Sequence, residues 1–425
     1  MIKKYKDRNL EFNYLVNKNN EIISPILEIY RGKMYLMIVS NFIHNCIHIF
    51  NKEIFSFKKS YNRTLTNLLS SWLFDLYSKY NFKDDSFFPS NYKNTNVIKN
   101  ILTDYTKNNF EDNGIKIKNI IDKLIISYEL SLKNLNSYKS SNYFLNNYKK
   151  FVITKELMND RLYPYFKFKI KLNFKVKDIK LENILNNIII PEDVYLKCKN
   201  KYNGLLKYLD TNIWIILFRY QLLGSNNHQL AVLPTILEKM KTDFNLNYEC
   251  FASTINSISN NYCSIYYDIE RFFGSKGSFF NFKPISGTYS FNPPYQSELI
   301  TNGINKLFKF LNDSYINKKS LNFIITIPIW DIEGKKLIED DNNSNINYGE
   351  FEIINSIKKN KYFRGLRMVS KKYFTYLDHN FKLYKDVTIQ NTYVIVLSTD
   401  KNNAFIEKIN KYNFKKEEKL SDIEI

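Results

Sequence analysis

Four residues in this chain could do chemistry together: Asn292-Pro293-Pro294-Tyr295. An asparagine offers a side-chain oxygen as a hydrogen-bond acceptor, and the Pro293 carbonyl offers a second. Two acceptors set side by side can hold both hydrogens of an exocyclic amine such as that of adenine. Such an amine is a poor nucleophile because its lone pair is delocalised into the ring. Holding its hydrogens draws the nitrogen towards tetrahedral geometry and localises the pair. Successive prolines fix φ, so the acceptors are set before substrate arrives. Tyr295 then presents a flat face to a base taken out of its stack. The chemistry this suits is methylation of a base amine from an activated sulfonium. That reaction calls for no metal and no covalent nucleophile, and the proton can leave after transfer because the methylated amine is acidic. Proline is only 9 of 425 residues, so the tetrad is not a product of composition; a plain rigid Pro-Pro turn is the competing reading.

The stretch upstream must position the tetrad. Tyr248-Glu249-Cys250-Phe251-Ala252-Ser253 reads as a short strand entering a small-residue turn, the way the first strand of a nucleotide-type α/β fold ends. An acidic side chain at that edge suits a ribose or the amine of a methionine moiety. Ahead of it, Gly224 to Gln229 is a polar loop. Leu230, Leu233, Leu237, Met240 and Phe244 then recur at helical spacing, with Pro234 in the first turn.

Arg219 to Gly224, the Asn227/Gln229 pair, Glu249 to Ser253, Tyr262-Cys263-Ser264, Phe273-Gly274-Ser275-Lys276-Gly277 and the tetrad together resemble the cap-specific adenosine N6-methyltransferases, the CAPAM or phosphorylated-CTD-interacting-factor family. The resemblance covers roughly Asp210 to Thr399 and is dense from Arg219 to Leu299. It implies an α/β, Rossmann-like class I methyltransferase core with S-adenosyl-L-methionine as donor. The implied substrate is the 2′-O-methyladenosine that begins a capped RNA. The candidate catalytic residues are Asn292, Pro293, Pro294 and Tyr295; the cofactor candidates are Glu249, Phe251, Ala252, Ser253, Asn227, Gln229 and Gly274. Trp330, Arg364 and Arg367 are candidates for substrate contact, and no metal is expected.

The chain departs from the family pattern at three points. Tyr295 stands where the family carries Phe, and Tyr is usual there in DNA and protein amino-methyltransferases. No WW domain is expected, since the three tryptophans are Trp72, Trp214 and Trp330, so polymerase-tail binding is not supported. Ile329 replaces an acidic residue within Ile327-Pro328-Ile329-Trp330. The same chemistry on DNA adenine and a catalytically idle RNA-binding subunit are the alternative functions.

Length and charge frame these readings. At 425 residues the chain can hold two domains, expected at 1–205 (mixed, largely helical, with a role in RNA binding) and 206–425 (methyltransferase). The formal charge of +20 favours a polyanionic partner, capped RNA above all, although codon bias towards Lys would also produce it. Cys46, Cys198, Cys250 and Cys263 are too scattered for a disulfide framework, and no apolar run reaches transmembrane length. An intracellular location, nuclear or cytoplasmic, is the expectation.

Further elements follow from periodicity. Ile26–Tyr30 and Met34–Val39 read as strands around a turn at Gly32. His44, Cys46 and His48 would then share a strand face, as a half-buried strand or, less simply, as a metal triad. Leu65 to Leu76 and Ile117 to Leu135 show helical spacing, whereas Asp85–Asn113 and Ser137–Lys150 read as loop and connector. From Phe166 to Lys177 apolar residues alternate with Lys, a strand whose cationic face is either a phosphate-tracking ridge or a solvated surface. Glu192–Asp210 reads as a linker, and Trp214–Leu223 as a helix on the catalytic sheet. Only about forty residues separate the first strand from Asn292, and a full strand-helix-strand unit takes about thirty, so the middle of the sheet must be abbreviated. Gln296–Leu311 reads as a helix, and Leu321–Ile329 and Tyr393–Leu397 as buried strands. Trp330, at the end of the first of these strands, either stacks on a base or seals the core. Asp331–Gly349 reads as a flexible acidic insertion, and Arg364, Arg367, Lys371 and Lys372 as a basic cluster.

Overall fold

The computed structural model describes residues 23–50, 61–78, 85, 87–106, 113–159, 163–223, 230–295, 297–328, 352–379, 385–387, 391–401 and 404–414. The chain divides into two compact units, Met1–Asn226 with Ile265–Ser278, and Asn227–Ser264 with Phe279–Ile425. The sheet-bearing unit is therefore discontinuous in sequence.

In the first unit the helices are α1 (Pro25–Phe50), α2 (Tyr61–Ser78), α3 (Asn96–Thr106), α4 (Asn113–Lys139) and α5 (Asn142–Asn147). They are followed by β1 (Phe151–Asn159), β2 (Pro164–Leu172), α6 (Ile179–Leu185), β3 (Ile189–Pro191), α7 (Glu192–Lys201) and α8 (Leu209–Leu223). The expected hairpin around Gly32 is instead the interior of α1. A Cβ on Gly32 would stand 3.0 Å from Phe218 Cζ and 3.1 Å from Leu181 Cδ1, so the glycine lets α1 close on α8 and α6. On a helix His44, Cys46 and His48 do not share a face: Cys46 is buried, and the two imidazoles lie one turn apart. Among the described residues no group of three or more His, Cys, Asp or Glu could hold a metal. None of the described helices is long and apolar enough to cross a membrane.

The expected loop and linker segments contain α3, α5 and α7, and α8 packs on α1 rather than on the catalytic sheet. The Phe166–Lys177 alternation becomes β2, which ends at Leu172 and pairs antiparallel with β1 and β3. Phe168 is buried on its apolar face, while Lys169 on the other face meets Glu156 of β1 at 2.6 Å. The cationic ridge is thus partly neutralised within its own sheet.

A buried ion network holds α1, α8 and the Tyr267–Glu270 turn together. Arg219 is fully buried, with Glu28 oxygens at 2.7 and 2.9 Å and Asp268 oxygens at 2.8 Å. Glu28 also accepts from Arg31 at 2.6 Å, and Arg31 reaches Asp85 at 2.8 Å, where Lys139 joins. Three cations balance three carboxylates. Burial works against the Arg219 charge, yet Asp268 and Glu28 outweigh it and hold its pKa well above the ordinary value.

The second unit runs β4 (Leu230–Val232), α9 (Pro234–Phe244), β5 (Leu246–Glu249), β6 (Asn261–Tyr262), β7 (Gly287–Phe291), α10 (Ser297–Ile316) and β8 (Leu321–Pro328). It continues through α11 (Glu352–Lys358), β9 (Phe363–Val369), β10 (Tyr376–Asp378), β11 (Lys385–Val387), β12 (Thr392–Ser398) and α12 (Ala404–Asn410). The main sheet has the order β6-β5-β7-β8-β12-β9. Strands β6, β5, β7 and β8 are parallel, and β12 is antiparallel to both neighbours. A smaller antiparallel sheet orders β11-β10-β4. Residues 230–232, expected to begin a helix, supply a strand to that sheet, and the helix starts at Pro234 as expected.

Alternate residues of β8 feed two cores. Phe323, Ile325 and Ile327 join Ile300, Ile304 and Leu307 of α10 and Ile354 of α11. Ile324 joins Leu237, Met240 and Phe244 of α9 with Val394 and Val396 of β12. Helices therefore cover both faces, which is why β8 and β12 read as unbroken apolar runs. The middle of the sheet is indeed short: β6 has two residues, and no helix longer than one turn lies between it and β7.

Two predictions arise here. Gly303 in α10 lies against the Phe291 ring, where a Cβ would stand 2.6 Å from Cζ. The gain in helix propensity from Gly303→Ala is about 1 kcal/mol, and overpacking costs about 1–3 kcal/mol. Net destabilisation is expected in denaturant melts; a variant more stable than the parent would contradict this packing. The second concerns the thiols. All four cysteines are free and buried. Burial pushes Cys46 and Cys263 up to about 12 and Cys198 to about 11. Thiol-specific reagents at about pH 8 are expected to label the native protein negligibly and all four sites after unfolding. Rapid labelling of the native protein would contradict the burial.

Candidate active site

The sheet order locates the site before any side chain is considered. From β5 the chain moves to β6 on one side, and then returns to place β7 and β8 on the other. The switch point lies between β5 and β7, and the carboxyl edges of parallel strands at a switch point are where such sheets bind ligands. Glu249 is the last residue of β5 and lies beside Ser290 of β7; Asn292 follows the end of β7. A cleft with about 280 Å³ of atom-free space, counting its mouth, is lined by Glu249, Phe251, Asn256, Ser290 and Asn292. Leu230, Ala231, Val232 and Leu237 supply its apolar wall.

Glu249 is 6 % exposed. Its Oε1 accepts from the backbone N–H groups of Ile258 at 2.7 Å and Ser259 at 2.6 Å. The carboxylate is thereby fixed at the strand end and anchors the following loop. Cys250 N–H donates to the Ser290 carbonyl, and Ala252 N–H to the Cys263 carbonyl, so the chain beyond β5 stays tied to its neighbours. Ser253 N–H donates to Asn256 Oδ1 at 2.7 Å, and Asn256 N–H donates to Ser253 Oγ at 3.3 Å. This reciprocal pair closes the turn like a capping box. Phe251 is partly buried among Phe279, Phe280 and Phe291 and also faces the cleft.

In the tetrad Pro293 is buried, while Asn292, Pro294 and Tyr295 are partly exposed. The Tyr295 hydroxyl donates to Asn292 Oδ1 at 3.1 Å. Its ring meets Tyr376 edge-on, with centroids 6.0 Å apart. An amide oxygen has two lone pairs, so Asn292 Oδ1 keeps one acceptor site beyond the Tyr295 bond.

The structure brings Glu249, Phe251 and Asn292 to one cleft, with Ser253 in the adjoining turn. Gly274 belongs to the other unit, where it ends a helical turn at φ 103°. Asn227, Gln229 and Trp330 lie outside the described residues. The guanidinium groups of Arg364 and Arg367 meet backbone carbonyls. Arg364 donates to Asp400, Lys361 and Phe363 carbonyls at the sheet edge. Arg367 donates to Ile409 and Tyr412 carbonyls at 2.7 and 2.8 Å, closing the C-terminal end of α12 where a cation complements the helix dipole. Any substrate contact by these two would use only their remaining donors. Asn256 and Ser290 line the cleft but were missed in the sequence. The Ser-x-x-Asn spacing at 253–256 is the signal that could have found the first.

These features define a mixed α/β chain with a largely parallel central sheet and an amine-holding loop at its switch point. Comparison with known families is more particular. The family described as "Phosphorylated CTD interacting factor 1 WW domain" matches residues 192–365. The mRNA (2′-O-methyladenosine-N(6)-)-methyltransferase of Mus musculus is 34% identical over 124 residues, 28% of this chain and 17% of that protein. The same enzyme of Homo sapiens is 33% identical over the same shares. The matched stretch thus spans under a fifth of the length of either relative. The family description names a WW domain, against the expectation that this chain lacks one. That expectation rested on the three scattered tryptophans, and the matched stretch contains Trp214 and Trp330. Trp214 lies on α8, stacked on Phe218.

Proposed function

We propose that this chain is an S-adenosyl-L-methionine-dependent N6-methyltransferase acting on the 2′-O-methyladenosine next to the cap of mRNA, giving N6,2′-O-dimethyladenosine. The observation that carries the reading is the shared cleft of Glu249 and Asn292 at the β5/β7 switch point. The names of the two relatives support the substrate. The sheet order supports a Rossmann-like class I core in which β5 is the first strand and one middle strand is missing. Residues 206–425 would carry the activity, and residues 1–205 would form a mixed, largely helical domain with a role in RNA binding.

The residues at the cleft fit the donor. Glu249 offers a fixed carboxylate for ribose hydroxyls or the methionine amine, Phe251 an apolar wall, and the Ala252–Asn256 turn backbone and carboxamide groups. Asn227, Gln229 and Gly274 are further candidates. When bound, S-adenosyl-L-methionine supplies a methyl group on a sulfonium. Asn292 Oδ1 and the Pro293 carbonyl accept the two amine hydrogens of adenine and concentrate its lone pair. Pro294 stiffens the loop, and Tyr295 faces the base, with Trp330 as a second stacking candidate. The +20 formal charge favours the RNA backbone.

The test offers labelled donor with capped RNA beginning in adenosine, the same RNA uncapped, and DNA. Label is expected on the capped RNA well above the other two. Equal transfer to DNA would contradict the substrate assignment, and donor binding without turnover on any of them would contradict the activity.

A further inference from the structure

Building on that reading, the geometry points to Tyr376 and Thr392 as positioning residues that act through the Tyr295 hydroxyl to lock the carboxamide of Asn292. Four polar groups lie in sequence from the sheet to the cleft. Thr392 opens β12 and is fully buried. Its Oγ1 is 3.0 Å from the Tyr376 hydroxyl. The Tyr376 side chain hydrogen-bonds that of Tyr295. The Tyr295 hydroxyl donates to Asn292 Oδ1 at 3.1 Å.

Proton counting gives this chain a direction. A phenol has one proton, and Tyr295 gives it to Asn292. Tyr376 must therefore donate to Tyr295, and Thr392 must donate to Tyr376. Every proton in the series points towards Asn292 Oδ1. A flipped carboxamide would turn an N–H₂ towards the Tyr295 hydroxyl and leave its proton without that acceptor. The series thus selects the orientation in which the oxygen faces Tyr295 with its second lone pair open for an amine. Burial pushes both phenols above their ordinary range, so they remain protonated donors. The far end is rigid, because Thr392 pairs with both Pro328 and Val369 in the sheet. This also gives the tyrosine of the tetrad a task that a phenylalanine could not perform.

The full chain is assayed as Tyr295→Phe, Tyr376→Phe, Thr392→Val and Thr392→Ser, with Asn292→Ala as reference. Tyr295→Phe is expected to lower kcat roughly five- to tenfold, the scale of one net hydrogen bond, with donor Kd unchanged. Tyr376→Phe and Thr392→Val should lower kcat by smaller factors, and Thr392→Ser, which keeps the hydroxyl, should restore it. A merely structural role would not separate kcat from donor binding or distinguish Ser from Val. If Thr392→Val fails to fold, Tyr376→Phe gives the same reading. Parental kcat in Tyr295→Phe and Tyr376→Phe, with Asn292→Ala inactive, would overturn the positioning role and leave the functional reading intact. An active Asn292→Ala would overturn both.

Discussion

Replacing Asn292 by Ala is expected to lower methyl transfer by roughly a hundred- to a thousandfold, the cost typical of removing one preorganised polar group from a reacting centre. The argument is local. The side chain sits just past the end of β7, on the cleft shared with Glu249, and its oxygen is held from behind by Tyr295. Truncation removes one of the two acceptors that localise the amine lone pair. It also removes one partly exposed hydrogen bond, which contributes only about 1 kcal/mol to stability. The thermal midpoint should therefore shift little. Donor affinity should be retained, because Glu249 and the 253–257 turn are untouched. Loss of turnover with preserved donor binding is the expected signature; loss of both would place Asn292 in the cofactor site instead.

The largest stability effect is expected at Arg219. Arg219→Met keeps much of the side-chain volume but strands Asp268 and removes one partner of Glu28. Both carboxylates are nearly or fully buried. Breaking a buried pair from one side costs about 3–5 kcal/mol, because the remaining charge is left without compensation. The variant should melt far below the parent. Its deficit should narrow as pH falls from about 7 to about 5. The sign follows from linkage: a buried carboxyl without its cation has a folded pKa raised above the unfolded one. It takes up a proton on folding in that window, and stability rises as pH falls. Denaturant melts of parent and variant across that range test both points. A deficit below about 1 kcal/mol, the scale of a surface pair, would contradict the network's role.

Much of the second unit could be read from its residues. Strands β5, β8 and β12, helix α10 and the placement of Pro234 follow from period, apolar runs and proline geometry. The abbreviated middle followed from chain length alone. The site was legible where one short motif carries the chemistry, at Asn292 to Tyr295 and at Glu249. Other features had no local signature. Helix α1 is buried on most sides, so its apolar residues show no helical stripe, and Gly32 resembles a turn when it is a contact point between helices. Arg219 finds Glu28 and Asp268 at sequence separations of 191 and 49 residues, which no window can reveal. Arg364 and Arg367 read as a phosphate-binding cluster because their carbonyl acceptors are set by tertiary packing. The Tyr295 bond to Asn292 likewise depends on how the loop folds back on itself.

The most direct test of the central claim maps the methyl group. Parent and Asn292→Ala are incubated with labelled donor and a capped transcript beginning in 2′-O-methyladenosine. The cap dinucleotide is then released and analysed by mass spectrometry. The account predicts one new methyl on N6 of that adenosine in the parent and almost none in the variant. A methyl on any other atom or base, or equal labelling by the variant, would contradict it.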